Sequence, residues 1–230
     1  MMATHQDSFL RGMLDILPLT IGAVPFALMV GTLAGQAGLG HVEMLMMSAF
    51  VFAGASQFTA LEMWATPVPV MAIILTTAMV NLRHVMMGAA LAPHIINLPA
   101  FPRTLFTLIF ADETWAIAIR RTAERPLTSS YVLGLIGPFY VNWLLFSGLG
   151  VTFGHLVTDP EKYGFDFVFT AVFITIIIGF WKGARSAPPL LASVVTSLLV
   201  HATIPGVWYI FLGGLAGVIT GALLYKEERK

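Results

Sequence analysis

VFAGASQFTALEMWATPVPVMAIILTTAMVNLRHVMMGAALA, residues Val51–Ala92, is apolar enough to sit in lipid. Yet it carries Ser56, Gln57, Glu62, Thr76, Thr77, Asn81, Arg83 and His84. A charged side chain at the centre of a membrane helix costs about 2.5–3.5 kcal/mol on insertion scales. Such groups persist where they face a protein interior or a water-filled cavity and find partners there. The polar face of this stretch is therefore the first candidate for a functional site.

Composition sets the class. Of 230 residues, 57% are hydrophobic and only 10% charged, with a mean hydropathy of +0.85. A soluble domain carries about 25% charged residues. The chain reads as an all-α polytopic membrane protein, because its apolar runs approach or exceed about 18 residues, whereas barrel strands span about 9–11. Net charge is zero and no long basic run occurs, which argues against a nucleic-acid partner. With no cysteine there is no disulfide and no thiolate metal or redox site. The N-terminal MMATHQDSFLRGMLDI lacks the pattern of a cleaved signal peptide, so the first apolar run is expected to remain as a helix.

Taken in order, the runs are Ile16–Leu39, Met44–Met63, Val70–Ala92, Thr104–Ile119, Tyr131–Val157, Phe165–Trp181, Pro188–His201 and Val207–Tyr225. Seven to eight transmembrane helices are expected, eight being favoured. Pro18, Pro25 and four glycines in the first run fit either close helix packing or a broken helix. Apolar sequence flanks Arg83 for about ten residues on each side, which counts against snorkelling to an interface. A break at Asn81–His84, with Arg83 lining a cavity, is expected instead. Asp112 and Glu113 fall mid-run, about 100° apart on one helix, so only one of them can face an Arg83-type partner. Basic clusters at Arg120–Arg125, at Lys182 and Arg185, and in the tail KEERK are expected to be cytoplasmic, with both termini. The loop TDPEKYGFD is expected on the opposite side.

A shift of about 120 residues aligns Pro18 with Pro138, Phe26 with Phe146, and IILTTAMVN (Ile73–Asn81) with SVVTSLLVH (Ser193–His201). A single transmembrane domain is expected over 1–230, with repeat halves at about 11–100 and 131–220 linked by a helix at 104–119. Paired interrupted segments in such repeats point to a secondary-transporter site near the midplane. Half-helix N-termini there can receive a carboxylate, and free carbonyls an ammonium.

GASQF (Gly54–Phe58), Thr76-Thr77 and VNLRH (Val80–His84) resemble the AzlC family, as do LPLTIGAVPFALMVG (Leu17–Gly31) and ADET (Ala111–Thr114). These are large subunits of two-component branched-chain amino acid exporters. The likeness covers the first half of the chain well and the second loosely. It implies export of leucine, valine, isoleucine or methionine across the cell inner membrane, and a small AzlD-like membrane subunit as partner. It implies substrate contact at Gly54, Ala55, Ser56, Gln57, Asn81, Arg83 and His84. Asp112 and Glu113, with His201, are expected as coupling or ion-pair groups. Arg83 suits the carboxylate, Asp112 the ammonium, and Phe52, Phe58 and Met86 the aliphatic side chain. Gln57 equally suits an interhelical clamp.

No cofactor or metal is expected, and no nucleotide-binding P-loop occurs. A proton gradient is the expected energy source, since acids and histidines are at hand. Two other readings stand beside this one. An intramembrane enzyme could use Ser56 with His84 or His201, although no oxyanion donors are evident. A channel would expose similar polar faces.

Overall fold

The computed structural model describes residues 8–156, 167, 170–171, 174, 177–178, 181, 183–204 and 208–224. Helix α1 (Phe9–Gln36) starts at Ser8, whose hydroxyl accepts the Arg11 N–H at 3.3 Å. Its 28 residues run unbroken through Pro18 and Pro25, so the broken-helix alternative for this run does not hold. Helix α7 (Ser129–Leu156) is also 28 residues long and begins about 120 residues later. The two lie side by side and parallel. Asn142 Nδ2 donates to the Thr20 carbonyl at 3.2 Å, and Thr32 Oγ1 donates to the Gly150 carbonyl at 3.2 Å. Glycine makes the approach possible. A Cβ on Gly12, Gly31 or Gly35 would strike the α7 backbone, and one on Gly134, Gly150 or Gly154 would strike that of α1.

α1 and α7 define a near face, where both begin, and a far face, where both end. At the near face Arg11 pairs with Asp15 at 3.0 Å, and Tyr131 donates to Asp15 Oδ2 at 2.8 Å. Between these helices in sequence lie five more: α2 (His41–Phe50), α3 (Gly54–Glu62), α4 (Val70–Ile95), α5 (Ala100–Ile109) and α6 (Asp112–Thr122). Their contacts fix their depth. α2 descends from the far face, with His41 bonded to Thr152 at 3.0 Å and Ser48 to Ser147 at 2.9 Å. The chain breaks at Val51–Ala53, and α3 turns back, so that Leu61 joins the far-face core of Val30, Ala34, Met44 and Val151. α4 then crosses from far to near and delivers Leu91 and Ile95 to the core of Ile16, Phe106 and Tyr131.

The second hairpin enters from the other side. Arg103, early in α5, donates to the Ile96 carbonyl at 2.9 Å, and Phe110 at its end packs its ring 5.3 Å from His84. After Phe110–Ala111, α6 returns toward the near face. Trp115 Nε1 donates to the Met87 carbonyl at 2.9 Å, and the Arg121 guanidinium lies 4.8 Å over the Tyr131 ring.

Several expectations are corrected here. The runs counted as second and fourth crossings are hairpins that return to the face they entered, which removes them from the expected eight. The one helix expected at 104–119 is two, and Asp112 and Glu113 open the second rather than sitting mid-helix. α4 is continuous through Asn81–His84, where a break was expected. Among the described residues, α1, α4, α7 and 183–203 are long and apolar enough to cross a bilayer.

A short 3-10 turn (Gly183–Ser186) leads into α8 (Ala187–Thr203), which pairs antiparallel with α9 (Trp208–Leu224). Ser197 Oγ donates to the Tyr209 carbonyl at 3.0 Å. At the shift that aligns α1 with α7, the single helix α4 falls on the two helices α8 and α9. The run Phe165–Trp181 is described at only seven scattered positions, and the acidic loop Thr158–Asp166 and the tail Lys226–Lys230 lie wholly outside the described residues.

Candidate functional site

The two hairpin tips meet beside α4 at a cavity of about 40 Å³. Ala53, Gly54 and Ala55 from one tip line it, and Ala111, Asp112 and Glu113 from the other. Arg83 and His84 of α4, Phe26 of α1, and Phe139 and Trp143 of α7 complete the wall with Phe52.

Phe52 is held among Phe139, Tyr140 and Trp143, at ring-centroid distances of 6.2, 5.0 and 6.4 Å. Tyr140 donates to the Ala49 carbonyl at 3.1 Å, which satisfies one of the orphan acceptors at the end of α2. Gly54 starts α3 where no larger residue fits, since a Cβ there would come within 3.0 Å of Trp143 and Phe26. No side chain caps α3 and its first turn has no acid, and Ala53, Gly54 and Ala55 at its start line the cavity, so the partial positive charge of that helix end borders it. α6 differs. Thr114 Oγ1 accepts the Ala111 N–H at 2.9 Å, and Asp112 and Glu113 occupy its first turn, where carboxylates are favoured.

Across the cavity, Arg83 Nη1 pairs with Asp112 Oδ2 at 2.7 Å. The expected partner was either Asp112 or Glu113, and the pair is made with Asp112. Asp112 Oδ1 is buried without a hydrogen-bond partner among the described residues. A buried carboxylate oxygen without a donor is costly, and its chemistry calls for a cation or a donor in the cavity.

The residues expected at the site divide. Gly54, Ala55, Arg83, His84, Asp112 and Glu113 line the cavity, whereas Ser56, Gln57 and Asn81 do not. Ser56 donates to Asn81 Oδ1 at 2.9 Å, which ties α3 to α4. Gln57 is fully buried; its Nε2 donates to Ser48 Oγ at 3.1 Å and its Oε1 accepts from Trp143 Nε1 at 2.9 Å. Both ends of its amide are thus occupied, the arrangement of an interhelical clamp. His201 lies on α8, its ring 5.1 Å from that of Tyr209, and is not part of the wall. Phe58 packs on Phe26 at 6.3 Å behind the wall, and Met86 is exposed.

Phe26, Phe139 and Trp143 were not expected at the site. Their signal was faint, because aromatic residues in apolar helices read first as packing. Among the described residues no group of three or more His, Asp or Glu could hold a metal ion.

The AzlC protein family matches residues 18–157, which include α1 from Pro18, both hairpins, α4 and all of α7. The inner membrane protein YgaZ of Escherichia coli K12 is 27% identical over 96% of this chain and 91% of its own length. An uncharacterized membrane protein of Archaeoglobus fulgidus is 29% identical over 76% of this chain and 77% of its own. The branched-chain amino acid transport protein AzlC of Bacillus subtilis 168 is 26% identical over 72% of this chain and 65% of its own. No solved structure matches. The match spans every element that lines the cavity, and on that ground the chain belongs to the AzlC family of membrane proteins.

Proposed function

We propose that this chain is a secondary transporter that exports branched-chain and other hydrophobic amino acids. It works in the cell inner membrane with a small AzlD-like subunit and with both termini in the cytoplasm. The observation that carries this reading is the meeting of an uncapped helix N-terminus and a donor-seeking carboxylate oxygen inside aromatic walls. The α3 N-terminus with Arg83 suits a carboxylate, Asp112 with Glu113 an ammonium, and Phe26, Phe52, Phe139 and Trp143 an aliphatic side chain. The name of the Bacillus subtilis relative supports the same substrate class. Re-entrant half-helices meeting at mid-depth are irregular backbone of the kind tolerated where it borders a cavity.

The enzyme reading loses ground, because Ser56 bonds to Asn81 rather than to a histidine base. With no P-loop in the chain, the driving force is a gradient, and a proton gradient suits the acids of the cavity. The test is efflux of labelled leucine, valine and methionine from proteoliposomes, with and without the small subunit and an imposed pH gradient. Saturable flux that follows the gradient is expected. Non-saturable flux would favour a channel, and full activity of the chain alone would remove the subunit from the account.

A further inference from the structure

The cavity is smaller than its proposed cargo. At about 40 Å³ it has room for a few waters, each needing roughly 10–15 Å³ by this measure, and not for leucine. Some part of the wall has to give way. The aromatic side is interlocked, with Phe26 and Trp143 at 5.4 Å in edge contact and Trp143 held by Gln57. The other side is the Arg83–Asp112 bridge, which presents a cation to a carboxylate at 2.7 Å. An amino acid carries the same two charges a few ångströms apart.

We propose that the Arg83–Asp112 ion pair stands in for the charged head of the substrate, so that binding an amino acid and parting this pair are one event. This rests on the transport reading of the same site. In the exchange, the substrate carboxylate takes the place of Asp112 on the Arg83 guanidinium. The substrate ammonium takes the place of Arg83 on Asp112, and reaches Oδ1 as well. Each protein charge trades one opposite charge for another, and neither is left stranded in a low-dielectric setting. A ligand with only one of the two charges would free one partner and strand the other. Selectivity for the zwitterion thus follows from the pair itself.

The test is binding of three probes to the purified full-length chain in lipid nanodiscs. The probes are leucine, 4-methylpentanoate (carboxylate only) and 3-methylbutylamine (ammonium only). In the wild type, both single-charge probes are expected to bind roughly tenfold or more weaker than leucine, the loss of one charged contact. Asp112→Asn should bring 4-methylpentanoate level with leucine or above it, and Arg83→Gln should do the same for the amine. A purely structural pair would lower all three probes by a common factor. Should either single variant fail to fold, the double variant Arg83→Gln/Asp112→Asn strands no charge. It is expected to fold and to bind leucine no better than either analogue.

Equal wild-type affinity for leucine and 4-methylpentanoate overturns the proposal. So does a uniform loss in Asp112→Asn at unchanged melting temperature, or a double variant that keeps its preference for leucine. If the wild type binds no amino acid even with the small subunit present in the nanodisc, the transport reading itself falls, and this inference with it. Leucine binding without a shift in selectivity overturns this inference alone.

Discussion

The hairpin α2–α3 and the hairpin α5–α6 share a plan and differ in charge. Each descends as a helix of 10 residues, breaks at mid-depth and returns as a helix of 9 or 11. One tip, Val51–Ala55, carries no ionisable group, so the N-terminus of α3 is left electropositive and open. The other tip puts Asp112 and Glu113 on the N-terminus of α6, where the helix itself favours them. Two like half-helices thereby give one site two opposite poles, and Arg83 of the continuous α4 stands between them. The difference teaches that backbone geometry places the site, while only two residues of the tip decide its polarity.

The comparison breaks most visibly if either segment is a full crossing. Cysteines at Gly38 and Ala65 are expected to label with an impermeant thiol reagent from one side of the membrane, and cysteines at Asn97 and Ala123 from the other. Labelling of either pair from opposite sides would end the hairpin account.

Next in size is the charge asymmetry. Arg83→Ala strands Asp112 and should cost about 3–5 kcal/mol, read as a loss of thermal stability and folded yield. A double-mutant cycle should show strong coupling of Arg83 to Asp112 and much weaker coupling to Glu113, since the bridge is made to Asp112. Equal coupling to both acids would mean that the pair is shared.

Smaller effects separate the tips sterically. Gly54→Ala drives a methyl group into Trp143 and Phe26 and should lower stability by about 1–3 kcal/mol. The opposite change at the other tip, Ala111→Gly, crowds nothing and should cost less than about 1 kcal/mol. Melting temperatures of the two variants in one lipid decide it, and equal losses would remove the distinction.

The smallest effect concerns the cap. Thr114→Val removes the hydroxyl that accepts the Ala111 N–H, and should cost about 0.5–2 kcal/mol with no counterpart in α3. Hydrogen exchange at Ala111 reads it directly.

The helical membrane class was legible in composition and run length alone, and so was the expectation that Arg83 pairs with an acid. The hairpins were not, because Met44–Met63 and Thr104–Ile119 read as apolar runs of near-span length, and hydropathy counts residues without asking where the chain turns. The expected break at Asn81–His84 followed from polar residues alone. In the structure Asn81 is met by Ser56 and Arg83 by Asp112, so side-chain partners absorb the polarity and the backbone ladder of α4 stays whole. A better signal lay in Ala111–Thr114. Two acids followed by a threonine that can bond back is the pattern of a helix start, and it was read as the middle of one. Gln57 was assigned to the ligand on family likeness, although an amide with both ends occupied in the core is satisfied by packing.

The glycines shared by α1 and α7 have a mechanical consequence. Gly12, Gly31 and Gly35 sit against one backbone, and Gly134, Gly150 and Gly154 against the other, over nearly the whole length of both helices. Teeth meshed this closely forbid sliding, because a step of one residue would bring a side chain onto a backbone that has room only for hydrogen. The pair is a fixed strut. Whatever stroke admits a substrate from one face and releases it at the other has to be made by the parts that lean on it, the hairpin tips and α4.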